Sequence, residues 1–397
     1  MSVTNNKKYY IMVFMITVAA VSVYLLCHRF HLSQPIIMNE DKAVDNFIRL
    51  AVLEGGTEVG MLSACEYNIQ NMIMLLLIKS CKNAWAGINI YYILTFFMIS
   101  FSMYLFFEKF EIPAMISVGL AALAAFLPFH VDRGEGQMMT SNFFLAPLFL
   151  CLFYDLIYCQ KSDVYAKKYI ALVCLAPFID IRISVMAVLL FLIFLIQLHD
   201  WKYTKHIALY PVLLVFFTGL VGIISPTMGI SDIGMAKEEG MRLLDLVMPM
   251  RYHISSRLSD IRYEYDILLS AHGESGLNSL GVLFSAGFVC MMLGLFFEWK
   301  KDRRIAWLGM ISMIVILLAG ICGIGTVIEY FGINVTYWSR MAVFIAVCSV
   351  AVTGMLIGKF CKYVEGRYGK RVSSVVYAAV YVLFTIEFFE FILRQNM

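Results

Sequence analysis

What most constrains this chain is the recurrence of apolar runs about 20 residues long, the length a helix needs to cross the hydrocarbon core of a bilayer. Such runs fall at 9–27, 86–107, 113–129, 140–159, 207–225, 277–297, 305–323, 341–358 and 373–393. A further apolar stretch, 169–198, is broken in its middle by Asp180 and Arg182 in "APFIDIRISV". Read as two short helices, 169–180 and 183–198, joined by a tight turn, it brings the expected number of membrane helices to about eleven. Lipid offers no partner to backbone N–H and C=O groups, so such runs must form helices, which satisfy those groups internally. The ten-residue alternation that marks a membrane β-barrel is absent. With 61% hydrophobic and 15% charged residues and a mean hydropathy of +0.79, the 397-residue chain has more apolar surface than a soluble fold could hide. The expected fold is all-α: one integral membrane domain over 1–397, a polytopic transmembrane helical bundle.

Orientation follows from the lysines and arginines of the short loops. With the N-terminus inside, the inside segments carry Lys7 and Lys8, then "QKSDVYAKK", "DWKYTKH", "KKDRR" and "KFCKYVEGRYGKR". The N-terminus is then cytoplasmic, in the plasma membrane, and "RQNM" lies outside. The first apolar run is too long for a signal-peptide core and no small-residue cleavage site follows, so it reads as the first membrane helix. A shorter piece, "NMIMLLLIKS", cannot span and reads as re-entrant or interfacial. The outside segments become about 28–85, 130–139, 226–276 and 324–340. The net charge of +3 is scattered among short loops, which leaves nucleic-acid binding without support. Most cysteines sit inside apolar runs without ligand spacing and read as packing residues.

Four outside elements mix charges and aromatics. In "EDKAVDNFIRLAVLEGG", Val44, Phe47, Ile48 and Ala51 form a helical stripe, and Gly55 and Gly56 supply a stop. This predicts an amphipathic helix on the outer surface, with Glu40 and Asp41 at its start. A carboxylate there suits a general base or a metal ligand, and equally an N-cap on a solvated face. The second element, "HVDRGEGQ", gathers His130, Asp132, Arg133 and Glu135. Arg133 is a fork suited to phosphate or carboxylate, while the glycines equally suit a tight polar turn. The third, "PMRYHISSRLSDIRYEYDILLSAHGESGLNSLG", carries Arg251, His253, Tyr265 and Glu274. Arginines at this depth suit a lipid phosphate, and tyrosines suit either sugars or a generic headgroup-level loop. The fourth, "VTYWSRMAVFI", sets Arg340 at the mouth of a span, where snorkelling is the simpler account. Asp180 and Arg182 fit either a site within the membrane or a mutual charge pair.

Together the four elements resemble those of bacterial polytopic glycosyltransferases of the GT-C type, also described as sugar translocases. In that family the first outside loop opens with Gly-Asp ahead of an amphipathic helix; here Asp41 falls on the aspartate and Glu40 replaces the glycine. The second loop carries the same "RGEG", with Gln137 where histidine is usual. The third pattern is met by Pro249, His253, Tyr265, Glu274 and "SLGVLFSAGF", and the fourth by Arg340, with Thr336 where an arginine is usual.

The resemblance implies a GT-C-like fold and an inverting enzyme that moves a sugar from a polyprenyl-phosphate carrier to a cell-envelope or surface polysaccharide acceptor on the outer face. It assigns Asp41 as base with Glu40 as helper. A divalent metal such as Mg or Mn, if used, would be held by Asp41. The substrate- and phosphate-binding set is His130, Arg133, Glu135, Arg251, His253, Tyr265, Glu274 and Arg340. The implied partners are a lipid-linked sugar donor, a glycan or lipid acceptor and the membrane. Two rival readings are a transporter or flippase of lipid-linked sugars and a non-catalytic subunit of an envelope-synthesis complex. Transport by alternating access favours midplane polar groups and repeated halves, whereas here the polar residues crowd one face and no repeat is visible.

Overall fold

The computed structural model describes residues 3–34, 36, 68–134, 138–159, 162–197, 209–224, 240–250, 253, 255–268, 274–297, 302–330 and 338–393. Among them the regular elements are all helical and no strand forms. Five segments are long and apolar enough to cross a membrane: Lys7–Cys27, Ala84–Lys109, Ala114–Val131, Ser141–Tyr158 and Trp338–Leu393. Shorter apolar helices make up much of the remainder. The expected amphipathic helix after Asp41 lies outside the described residues.

The chain divides into two compact units. The second, residues 31–95 and 134–232, holds α2 (Ile69–Cys81), the start of α3 (Ala84–Lys109), and α6 (Leu145–Tyr154) to α9 (Leu209–Ile224). At 13 residues α2 is about 20 Å long, well short of a bilayer core, as expected for "NMIMLLLIKS". The broken apolar stretch becomes α7 (Ser162–Ile179) and α8 (Ile181–Gln197). Asp180 makes the break: its Oδ1 accepts from the backbone N–H groups of Arg182 (2.9 Å) and Ile183 (3.2 Å), capping α8. The last carbonyl of α7, Ile179 O, accepts from Asn68 (3.2 Å) and Asn142 (3.5 Å), and Asn142 Oδ1 accepts from the Tyr91 hydroxyl (3.0 Å). A helix broken within an apolar region exposes backbone groups that need such partners.

The first unit, residues 1–30, 96–133 and 233–397, contains α1 (Val3–Cys27), the rest of α3, α4 (Ala114–Ala124), α5 (Pro128–Val131) and α10 (Leu243–Val247) to α15 (Ala342–Leu393). α15 comprises 52 residues but is not one rod, because Gly369 (φ 81°, ψ 173°) is non-helical. Its flanks double back along α4. Before the break, Gly358 meets Pro113 and Gly354 meets Leu120; after it, Phe384 meets Gly119 and Phe388 meets Phe126. Moving away from Gly369 either way climbs α4 in the same direction, so the flanks are antiparallel. They correspond to the sequence spans 341–358 and 373–393. Gly354 and Gly358 form a small-xxx-small face: a Cβ would stand 2.7 Å from Leu120 and 2.6 Å from Pro113.

The helix ends of this unit sort chemically. At one end Tyr10 donates to Glu108 (3.0 Å), Arg304 pairs with Glu111 (2.9 Å) and Lys359 pairs with Asp302 (2.8 Å). Burial opposes ionisation of Asp302, yet Lys359 and the Arg304 backbone hold its carboxyl below the usual value. At the other end Tyr24, Phe96 and Phe126 cluster beneath His130, and the polar loops gather there.

Gly281 opens α12 (Val282–Phe297) at that polar end with φ +79°. A Cβ would stand 2.3 Å from Glu387 Oε1 and 2.6 Å from Phe391. Gly281→Ala therefore combines left-handed strain with a clash. It is expected to lower stability by more than about 1 kcal/mol, measured as a drop in the thermal unfolding midpoint in detergent.

Candidate functional site

The site is built on a loop whose left-handed turn glycine favours. Pro128 starts the single turn α5, and the chain leaves it through Asp132, Arg133 and Gly134, whose φ of +51° is left-handed. The arginine of "RGEG", just before it, is turned inward. Arg133 is fully buried, its Cζ 4.2 Å from the centroid of the Phe129 ring, and its Nη2 donates to Asn278 Oδ1 at 3.2 Å. Asn278 Nδ2 donates in turn to Ser339 O at 3.0 Å. One asparagine thus fastens the "HVDRGEGQ" element to the turn Trp338–Met341, which carries Arg340. Trp338 is itself held by Glu329, its Nε1 donating to Oε1 at 2.9 Å. Arg340 is partly exposed.

The residues around Asn278 act as a linchpin. Ser275 Oγ donates to Asp245 Oδ2 (2.5 Å) and accepts from the Arg242 backbone (3.0 Å). Gly276 O accepts from Arg262 Nη2 (3.1 Å), and Ser279 Oγ donates to Met248 O (2.8 Å). Arg262, on α11 (Ser256–Leu268), is 1% exposed. It pairs with Asp266 at 2.9 Å, lies 3.6 Å from Asp245, and bonds Pro249 O at 3.4 Å. The fork of a guanidinium suits this task, because it meets carboxylates and carbonyls in several directions at once.

Of the residues expected from sequence, Arg133 and the Arg340 turn are brought together. His130 is instead turned into the core: its Nδ1 contacts Ala125 O at 2.7 Å and so carries the proton, and its ring lies 4.4 Å from that of Phe96. Tyr265 belongs to the Arg262 cluster, with the guanidinium 5.5 Å from its ring centroid. Burial, with Asp245 beside it, pushes the Tyr265 phenol up to about 12, so it stays protonated at neutral pH. His253 is buried against Glu390 of α15 at 2.6 Å. Glu274 opens the turn Glu274–Leu277. Glu40, Asp41, Glu135 and Arg251 lie outside the described residues.

No protein family, curated protein or solved structure matches the chain.

Sequence reasoning missed Asn278, Arg262 with Asp245, and the two acids of α15. The acids left a readable signal: "TIEFFEFIL" sets Glu387 and Glu390 inside an apolar run, where an ionisable group requires a partner. Asn278 left only a weak one, a polar residue at the very start of a span. Among the described residues no three His, Cys, Asp or Glu side chains stand together as a metal site; Asp41, the expected ligand, is not among them.

The geometry can do two things chemically. It can present a buried guanidinium at one end of a helical unit, where low dielectric strengthens its attraction for an anion. It can also hold the segments bearing Arg133, His253 and Arg340 in fixed register through Asn278, Arg262 and Glu390.

Proposed function

We propose that the chain is a GT-C-like membrane glycosyltransferase that moves a sugar from a polyprenyl-phosphate carrier to a cell-envelope or surface polysaccharide acceptor. The observation that carries this reading is the link Arg133–Asn278–Ser339, which joins two arginine-bearing elements from distant parts of the sequence at one end of a membrane-type helical unit. About eleven spans, an inside N-terminus and an outward polar end complete the topology, supported by the lysines and arginines at the opposite end.

In the proposed reaction the acceptor hydroxyl attacks the anomeric carbon of the carrier-bound sugar. An O–C glycosidic bond forms, the bond from the anomeric carbon to the phosphate oxygen breaks, and configuration inverts. The hydroxyl proton passes to Asp41, with Glu40 beside it in sequence. The departing polyprenyl phosphate gains negative charge, which Arg133, Arg251 and Arg340 stabilise. If a divalent metal takes part, Asp41 is its ligand and it would orient the acceptor oxygen. His130 and Tyr265 support the site from within the protein, and Glu135 and Glu274 line the loops that receive acceptor and carrier head.

Asp41→Asn tests the assignment of the base. In purified protein supplied with radiolabelled polyprenyl-phosphate sugars and acceptors, it should lower transfer by about a hundredfold or more while the protein stays folded in the membrane. Full activity in that variant would remove Asp41 from the mechanism.

A further inference from the structure

We infer that Glu390 on the last helix is a positioning residue that holds His253 as a neutral anchor, and that His253 therefore secures its own stretch of chain, beside Pro249 and Ser255, instead of binding phosphate directly. The role of that segment in transfer rests on the reading above; the pairing itself stands on geometry.

Each ring nitrogen of His253 faces a polar group. Its Nδ1 accepts from the Ser255 backbone N–H at 2.9 Å, so that nitrogen carries no proton. Its Nε2 lies 2.6 Å from Glu390 Oε1, with both side chains buried. Two bare acceptors would repel at that distance, so the single ring proton sits on Nε2, although the carboxylate lies off the ideal N–H axis. The imidazole is therefore neutral. Its one basic nitrogen is occupied by its own chain, which leaves neither a cation for phosphate nor a free lone pair for a proton.

Glu390 is itself fixed. Three residues earlier on the same helical face, Glu387 Oε1 accepts from the Leu283 backbone N–H at 3.2 Å and so caps the start of α12 from another helix. Gly281 leaves room for that carboxylate, and the Phe391 ring lies 6.3 Å from that of Phe284. Two buried acids on an apolar helix would be strongly unfavourable without partners, and each has one. The segment is thus clamped twice: Arg262 bonds Pro249 O, and Glu390 holds His253.

Nitrogen NMR on protein labelled with 15N-histidine in lipid nanodiscs near neutral pH tests the pairing, with the His253 signals identified by their loss in His253→Gln. The expected wild-type result is a neutral ring with the proton on Nε2. Glu390→Gln, which keeps an acceptor, should leave the Nε2 shift little changed, and Glu390→Leu should move it to that of a ring N–H without an acceptor, while Ser255 keeps the tautomer in both. A wild-type His253 that is charged, or protonated on Nδ1, overturns the proposal; should the leucine variant not fold, wild type and the glutamine variant still decide. In the transfer assay, Glu390→Leu should raise KM for the lipid-linked donor about tenfold at nearly constant kcat, the loss expected for one short polar contact to a carboxylate. Glu390→Gln should recover most of it. An unchanged KM in a folded, active leucine variant would overturn the positioning role. An inactive wild-type protein would sink the transfer reading, and the Nε2 shifts of wild type and the two Glu390 variants would still decide the pairing, an Nε2 shift unmoved in Glu390→Leu overturning it.

Discussion

Replacing Arg133 with methionine should lower sugar transfer by about a hundredfold or more, because the side chain of similar length keeps much of the packing but removes the charge that meets a departing phosphate. Arg133 is fully buried over Phe129 and directed by Asn278, so it is ordered before any ligand arrives and needs little rearrangement during the reaction. Asn278→Ala should act the same way at smaller amplitude, since it leaves the guanidinium in place but unsteered and frees the Ser339 carbonyl. The measurement is transfer of labelled sugar by matched amounts of folded protein, judged by gel-filtration profile and thermal midpoint. Near-wild-type transfer by the methionine variant would assign Arg133 to structure alone.

The largest effect on stability should come from Arg262→Met. This buried guanidinium contacts Asp245, Asp266, Pro249 O and Gly276 O, and its loss strands a carboxylate that is 1% exposed. Removing one member of such a buried network costs about 3–5 kcal/mol, which should appear as a lower unfolding midpoint and as protease sensitivity between residues 240 and 280. Adding Asp245→Asn should recover part of the loss, because the stranded charge is then gone, although Ser275 loses some of its bond strength. A single variant as stable as the wild type would show that the cluster does not organise the loop.

Much of the helical layout was legible because a bilayer imposes a length. The runs at 9–27, 86–107 and 113–129 became α1, α3 and the α4–α5 pair, and the polar interruption at Asp180 became a capped break between α7 and α8. The short "NMIMLLLIKS" was legible for the same reason. What periodicity cannot report is which distant group meets which. Arg133 and Asn278 are 145 residues apart, and Leu283 and Glu387 are 104 apart. Nothing in the local pattern of either member names the other. Side-chain direction was equally hidden: Arg133 turns inward to Asn278, and the Ala125 carbonyl claims His130 for the core. Tyr265 reads in sequence as either a sugar platform or a headgroup-level anchor, and in the structure it packs beside Arg262 with its hydroxyl near Asp245.

The most direct test of the central claim follows the labelled sugar itself. Purified wild-type protein in lipid vesicles is given polyprenyl-phosphate sugars labelled in the sugar, together with candidate acceptors, and the products are separated by chemical form. The expected result is label in a new glycosidic bond of inverted configuration, with free polyprenyl phosphate released in equal amount. Label that crosses the bilayer while still attached to its carrier, with no new bond formed across the panel of donors and acceptors, would contradict the account and favour a transporter.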